Sequence, residues 1–278
     1  MAQERRRFGV MRLCRVFGVT RAGFYASQTR PESQHERDDR TLRREVRTIF
    51  VESRGAYGSP RIYNALRARG FAVSHRRVER LMREEGLRAR VVRVYRRTAG
   101  TRRWFAQHPN RVAQRRATRC DQIWVSDLTY VRGADRWWYL AVVLDQYSRR
   151  VLAWRLASTR DAVLTRALVA AAVRRRRPSR PLIFHTDRGS EFLGAPLAVC
   201  LEQHGIRQSM TRGGAPDENA HVESFFHSLK AEALAGRRFP SVPQLRSALR
   251  QYIAYYNQHR LHSSLDYRSP VDYERQRA

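Results

Sequence analysis

Over the first 90 residues, apolar positions recur at helical spacing. Val10 to Phe17 and Arg21 to Ser27 read as two short helices around a Gly18-Val19-Thr20 turn, with Thr20 as N-cap of the second. Leu42, Val46, Ile49 and Phe50 mark one face of a further helix. Ser59-Pro60 predicts an N-cap followed by proline at the first helical position, opening a helix with Ile62, Ala65 and Leu66 that stops near Gly70. Ser74 caps another, with Val78, Leu81 and Met82 inward and Gly86 at its end. Arg76, Arg77, Arg80 and Arg83 lie on this last helix. Three helices with an arginine-rich third fit a helix-turn-helix DNA-binding domain; a three-helix bundle with a solvated basic face is the plainer alternative.

From residue 121 the period shortens. Gln122 to Val131 alternates, Gly133-Ala134-Asp135 makes a turn, Trp137 to Leu144 is almost continuously apolar, and Val151 to Ala157 is a third strand: an antiparallel meander. Asp161 then caps a helix to about Arg176. Pro181 to Thr186 is a short buried strand, Ser190 to His204 a helix, and Ile206 to Met210 a last strand. A Gly213-Gly214 loop leads to a long helix from about Glu218 to Ala235, and Gln244 to His259 forms another. This order predicts an α/β, ribonuclease-H-like fold: a mixed five-stranded sheet with flanking helices, preceded by a small helical domain.

Charge changes the picture. The 278 residues carry 55 Lys plus Arg against 25 Asp plus Glu, a formal charge of +30 that points to a polyanionic partner, most simply double-stranded DNA. Residues 1–118 hold 30 arginines and 10 acids, whereas residues 119–278 hold 25 basic residues and 15 acids. Between Glu85 and Asp121 there are eleven arginines, Arg96 and Arg97 among them, and no acid. Aromatic and aliphatic residues interleave there, as in a DNA-tracking linker. A GC-rich genome that writes Arg for any solvated cation would leave much the same count. The predicted organisation is an N-terminal helical segment (1–35), a helix-turn-helix-like domain (36–88), a basic linker (89–118) and a catalytic core with C-terminal helices (119–278). The longest apolar run is far below the roughly 20 residues of a spanning helix, so a cytoplasmic, nucleoid-associated protein is expected. Cys14, Cys120 and Cys200 are too few and too scattered for a zinc cluster or a disulfide framework, and read as free thiols.

Three carboxylates carry the candidate chemistry. Asp127 interrupts the first strand on the face of Ile123 and Val125, where a bare buried charge would cost several kcal/mol. Asp187 ends the fourth strand, at the carboxyl edge where open α/β sheets place their sites. Glu223 lies one helical turn past Asn219. If the first and fourth strands are neighbours, the two aspartates meet. Three carboxylates suit a pair of Mg²⁺ or Mn²⁺ ions, which take hard oxygen ligands and align an attacking and a leaving oxygen for phosphoryl transfer. Taken singly, each acid could be a satisfied strand residue, a turn-former or half of a helical ion pair.

In six segments the chain resembles OrfB, the catalytic frame of insertion sequence 3 family transposases. These are Tyr57-Gly-Ser-Pro-Arg-Ile62, Trp124-Val-Ser-Asp-Leu-Thr-Tyr130, Leu144-Asp-Gln-Tyr-Ser-Arg149, His185-Thr-Asp-Arg-Gly-Ser190, Asn219-Ala-His-Val-Glu-Ser-Phe-Phe226 and Tyr256-Asn-Gln-His-Arg-Leu-His262. The resemblance implies an integrase-type core with Asp127, Asp187 and Glu223 as its metal-binding triad, and divalent-metal-dependent cleavage and strand transfer of DNA. It also implies an upstream helix-turn-helix partner, OrfA, joined by frameshifting, and a homo-oligomer on DNA. Two residues depart from the family pattern: Glu191 stands for the usual Gln, and Glu218 for the usual Asp. Lys230, the single lysine of the chain, comes seven residues after Glu223 and so returns to the same helix face. It resembles the basic residue that follows the catalytic Glu in this family and is a candidate contact to a terminal phosphate. Asp145 reads as structural, pairing with Arg149 or capping the turn. His185, His259 and His262 lack zinc-ligand spacing, and Trp137 and Trp138 read as core and sheet-face aromatics. A catalytically inactive DNA-binding or regulatory derivative is the alternative function, and a nuclease for RNA–DNA hybrids a third.

The charge division makes a prediction. A fragment of residues 1–118 should bind duplex DNA with an affinity that falls steeply with salt, and a 119–278 fragment more weakly. Equal affinities and salt slopes in a titration series would contradict it.

Overall fold

The computed structural model describes the chain except residues 1–7, 30, 91–108, 114, 179–180, 213–218 and 277–278, and the side chains of residues 27 and 28. Two short helices, α1 (Val10–Phe17) and α2 (Arg21–Thr29), open it. Thr20 caps α2, its Oγ accepting from Gly23 N–H at 3.0 Å. Then follow α3 (Gln34–Glu52), α4 (Ser59–Ala68) and α5 (His75–Glu84). Ser33 and Glu36 form a reciprocal capping box at the head of α3. The N-cap of α4 is Gly58 rather than Ser59, which is already helical, with Pro60 beside it in the first turn. The three helices bury Leu42, Val46, Ile49, Ile62, Leu66, Val78 and Leu81 in one core.

The second unit is a five-stranded sheet of β1 (Ile123–Arg132), β2 (Trp137–Asp145), β3 (Val151–Ala157), β4 (Leu182–Thr186) and β5 (Ile206–Met210), in the order β3-β2-β1-β4-β5. β1–β2 and β2–β3 are antiparallel, whereas β1–β4 and β4–β5 are parallel. This is the mixed, ribonuclease-H-like sheet that the element order predicts. Both faces are covered, so the strands are apolar on both sides. Ile123, Val125, Leu140, Val142 and Ile183 pack under α8 (Ala220–Leu229) and α9 (Val242–Gln258). Trp124, Leu128, Ala141, Val143 and Phe184 pack under α6 (Ala162–Arg176) and α7 (Ala195–Gln203).

The helix expected over Ser190 to His204 is broken. A 3₁₀ turn spans Ser190–Phe192, and α7 starts only after Gly194, with Pro196 in its first turn. A Cβ on Gly194 would lie 2.2 Å from that of Ala162, so the close approach of α7 to the head of α6 requires glycine there. The long helix expected to Ala235 is α-helical through Leu229 and continues as a π turn over Lys230–Leu234; Glu218 lies outside the described residues. A short α10 (Pro270–Arg275) closes the chain and was not legible as a separate element.

The π turn buries Glu232, which meets Arg260 after α9. Arg260 Nη2 donates to Glu232 Oε1 at 2.6 Å and Nε to Oε2 at 3.0 Å, while Tyr252 OH donates to Oε2 at 2.9 Å. The peptides flanking Arg260 hold the helical domain. Tyr57 OH accepts from Leu261 N–H at 2.8 Å and donates to the His259 carbonyl at 3.2 Å, and Arg61 Nε donates to the Leu261 carbonyl at 3.0 Å. Two of the sequence segments that stood out, around Tyr57 and around Arg260, are thus the two sides of one junction.

Removing one member of the buried ion pair leaves an uncompensated charge, whereas removing the Tyr57 hydroxyl strands one partly buried N–H. Glu232→Ala should therefore cost about 3–5 kcal/mol, and Tyr57→Phe about 1–3 kcal/mol. Denaturant unfolding of the full chain checks both; a Tyr57→Phe midpoint equal to wild type would show that the junction contributes nothing.

Candidate active site

Asp127 sits where the sheet opens. β4 pairs with β1 over Ile123–Ser126 only, ending at the Ser126–Thr186 pair, whereas β1 runs on to Arg132 against β2. The next residue on each parallel strand is an aspartate, Asp127 on one and Asp187 on the other, so both leave the paired region at the same edge. They line one cleft of about 250 Å³ together with Thr129, Arg160, Gly189 and Glu191. The Asp127 Oδ1 accepts from Leu128 N–H at 2.7 Å, and Asp187 Oδ1 from Gly189 N–H at 3.0 Å. Arg188 Nε donates to the Thr211 carbonyl at 2.6 Å and braces the β4 exit against that of β5. Under the cleft, His185 is fully buried and its Nδ1 lies 2.9 Å from Ser209 Oγ.

Glu223 is exposed in the first turn of α8. That helix starts beside the cleft, because the Asn219 side-chain amide donates to the Ser126 carbonyl at 3.3 Å. Glu223 is not part of the cleft lining, and the three carboxylates do not gather as a set within 4.8 Å. The aspartates are brought together; the glutamate is next door. His221, in the same turn, has its pKa pushed down to about 4 by burial and by the charges of Arg149 and Arg116. Lys230 keeps helical backbone angles at the end of α8 and is exposed, so the seven-residue spacing from Glu223 holds it on the same side.

Among the described residues, one set of three ligand-type side chains does lie within 4.8 Å: Cys120, Asp145 and Glu274. Its bonding is structural. Asp145 accepts from the backbone N–H groups of Ser148 and Asp121, both at 2.8 Å, which makes it the turn cap expected. Glu274 accepts from Ser148 Oγ at 2.8 Å, from Arg176 at 2.9 Å and from Arg150. Burial and the neighbouring carboxylates of Asp145 and Glu274 push the Cys120 thiol up to about 12, which keeps it protonated. The three cysteines are free thiols. Burial drives the pKa of His262 down to about 2, helped by Arg260 and Arg61, so it is a neutral packing residue.

The α5 arginines divide. Arg77 Nε donates to Asp39 Oδ1 at 2.7 Å, and Arg80 donates to Asp39 Oδ2 at 2.6 Å and to Glu84 at 2.9 Å. Arg76 and Arg83 are exposed. Arg96 and Arg97 lie outside the described residues, as do Trp104 and Phe105. Trp137 is a sheet-face aromatic, exposed, with the Arg132 guanidinium 5.6 Å above its ring. Arg160 was not singled out from sequence; it lies in a loop, and no local pattern ties it to two aspartates that tertiary pairing brings to it.

Family comparisons match this layout. An HTH-like domain matches residues 36–103, and two integrase core domain families match residues 117–216 and 204–270. The chain is 35% identical over 261 residues to the uncharacterized 31 kDa protein of insertion element IS600 from Shigella sonnei, covering 93% of this chain and 96% of that one. It is 34% identical over 276 residues to transposase InsF for insertion sequence IS3A of Escherichia coli strain K12, covering 96% and 94%. With the transposase for insertion sequence element IS904 of Lactococcus lactis it shares 33% over 248 residues, covering 88% and 98%. Among solved structures, the HTLV-2 integrase catalytic core domain in complex with magnesium aligns at TM-score 0.47 and 18% identity, over 57% of this chain and 99% of that chain. The BIV integrase catalytic core aligns at TM-score 0.44 and 16% identity, over 56% and 95%. One-third identity over nearly the whole length to the InsF and IS904 transposases, with an integrase core following an HTH-like domain, makes the chain a member of the insertion sequence 3 transposase family.

Proposed function

We propose that this transposase cleaves DNA at the ends of its element and joins the freed 3′-hydroxyl to another phosphodiester, with Asp127, Asp187 and Glu223 as its metal-binding carboxylates. The observation that carries the reading is the aspartate pair at the point where β4 stops and β1 continues. The donor set fits Mg²⁺ or Mn²⁺: among the described residues that line it, the cleft offers carboxylate oxygens and no sulfur or imidazole. Two such ions, when bound, supply the charge that stabilises the attacking and leaving oxygens of an in-line displacement. The chain itself orients the ligands. Backbone N–H groups of Leu128 and Gly189 each fix one aspartate oxygen, and Asn219 ties the head of α8 to β1. In this reading Glu223, in the first turn of the helix that Asn219 ties to β1, supplies the third carboxylate.

Double-stranded DNA, as element ends and target, is the partner in this reading, with an OrfA-type protein and further copies of the chain. On α5, Arg76 and Arg83 are the exposed candidates for backbone contact. Arg77 and Arg80 are engaged by Asp39 and stiffen the helix that presents the other two. The extra acid at Glu191 favours a second reading, a derivative that binds DNA without cutting it. Among the described residues, no helix is long and apolar enough to cross a membrane.

Asp127→Asn, Asp187→Asn and Glu223→Gln should each abolish strand cleavage while leaving duplex binding within about twofold, since one charge in a surface of +30 contributes little to binding. A nicking assay on an end-containing duplex checks this, with Mn²⁺ replacing Mg²⁺ and Ca²⁺ supporting binding but little turnover. Near wild-type nicking by any one variant would remove that residue from the triad, and no metal-dependent nicking by the wild type would favour the binding-only derivative.

For Lys230, strand transfer of a pre-cleaved end is the measurement. Lys230→Ala should lose joining by on the order of a hundredfold through misplacement of the reacting end, with non-specific binding unchanged. Lys230→Arg should be intermediate, because the charge remains but the donor geometry differs. Wild-type joining by the alanine variant would make the lone lysine an accident of composition.

A further inference from the structure

Glu191 is 95% buried, yet its carboxylate belongs to the same cleft as Asp127 and Asp187. Its backbone is anchored from behind: Thr165 Oγ of α6 donates to the Glu191 carbonyl at 2.7 Å. Its side chain is seated on Gly189, where a Cβ would stand 2.7 Å from the Glu191 carboxyl carbon. The same glycine gives its N–H to Asp187. One residue without a side chain therefore orients one acid and makes room for another. Glu191 Oε2 makes no hydrogen bond, and Arg160 Nε lies 3.6 Å from it.

Arg160 comes from the loop between β3 and α6, and the structure holds that loop on the residue's C-terminal side. Asp161 caps α6 by accepting from Leu164 N–H at 2.8 Å, and Thr159 Oγ donates to the same carboxylate at 3.1 Å. The Arg160 side chain is 42% exposed, against 4% for the Glu191 side chain. The guanidinium thus stands at the mouth of the cleft with a buried carboxylate behind its Nε. Among the described residues that line the cleft it is the one cation, beside three acids.

That placement has a chemical use. A phosphodiester entering the cleft carries its negative charge towards Asp127 and Asp187, and a fixed guanidinium offsets that repulsion. Its two Nη groups match two phosphate oxygens in a planar fork. The carboxylate behind it draws the Nε edge inward and so favours the orientation in which the two Nη groups face the cleft mouth.

We infer that Arg160 is a backbone-phosphate contact for the DNA strand that enters the cleft, and that Glu191 is its positioning residue. This rests on the transposase reading of the cleft and adds to it a phosphate clamp on the wall opposite α8. It also gives the departure at Glu191 a role: an acid there has a cation to hold.

The test uses the full chain with Arg160→Ala, Arg160→Lys, Glu191→Gln and the Arg160→Ala/Glu191→Gln double variant. Binding of an end-containing duplex is followed by fluorescence anisotropy over a salt series without divalent metal, and joining of a pre-cleaved end is measured in Mg²⁺. Loss of one phosphate contact should reduce the slope of log affinity against log salt by about 0.9 for Arg160→Ala, with at least tenfold slower joining. Arg160→Lys should keep the slope and join at an intermediate rate. Glu191→Gln should keep the thermal midpoint within a few degrees, slow joining severalfold in the wild-type background and add nothing once Arg160 is gone. An unchanged slope for Arg160→Ala would overturn the contact. A Glu191→Gln loss of equal size with and without Arg160 would overturn the positioning role. Asp127→Asn runs alongside: if it still joins, the triad reading fails, while the salt slopes, which need no catalysis, still decide on Arg160.

Discussion

The parallel pairing of β1 with β4 is the constraint on which the rest of this protein depends. It joins strands separated by two others and a helix in the chain, so it is a long-range parallel pairing that depends on the crossover through α6. Its shortness is as important as its existence. Four residues of β1 face four of β4, and beyond them β1 has a partner on one side alone. An aspartate in the middle of a fully paired strand would be buried on all sides; Asp127 falls at the first position past the pairing and meets Asp187 there. Asp127 is nonetheless buried, and the cost of an acid there is offset by the Leu128 N–H that donates to its carboxylate and by the cleft that opens where the neighbouring strand ends.

Around that notch, the two faces of the sheet do different work. The α6–α7 face supplies the back wall, with Thr165 holding the Glu191 backbone and Gly194 letting the two helices approach. The α8–α9 face supplies Asn219, Glu223 and, one π turn further, the Glu232–Arg260 pair. That pair lies next to the peptides which Tyr57 and Arg61 grip from the helical domain. The element that carries the candidate glutamate is therefore continuous with the element that anchors the helical domain. A wide turn at this place suits a helix that has to satisfy both ends, and such turns recur at functional positions.

Several of the arginines have a structural destination, each matched by an acid, so the net excess of +30 lies in the others. Arg176 is gripped by Asp121 and Glu274, Arg260 by Glu232, and Arg77 and Arg80 by Asp39. In these pairs arginine serves where its planar fork can satisfy a carboxylate out of water, and the associated aromatic contacts, such as Arg61 over Tyr57 at 5.8 Å, use the same flat cation. A count of basic residues thus states how attractive the surface is to DNA as a whole, and says little about which of them touch it.

Sequence alone determined what depends on local period and local chemistry. The meander, the fourth and fifth strands and the Asp161 and Ser74 caps are written in residues a few positions apart, where apolar alternation, a hydroxyl or a carboxylate acts on the nearest backbone. The two aspartates were legible for the same reason, since each marks a strand at a set position. Tertiary structure decided what depends on distance in the chain. The break before α7 follows from how closely Gly194 must approach Ala162. The Gly58 cap follows from the chain path into α4, beside a tyrosine committed to the core 200 residues away. Arg77 and Arg80 were indistinguishable from Arg76 and Arg83 until α3 brought Asp39 against two of them. Arg160 and Glu191 became neighbours only because the crossover between β3 and β4 returns to the sheet: a period can say which way a side chain faces, but only the packed fold says what it faces.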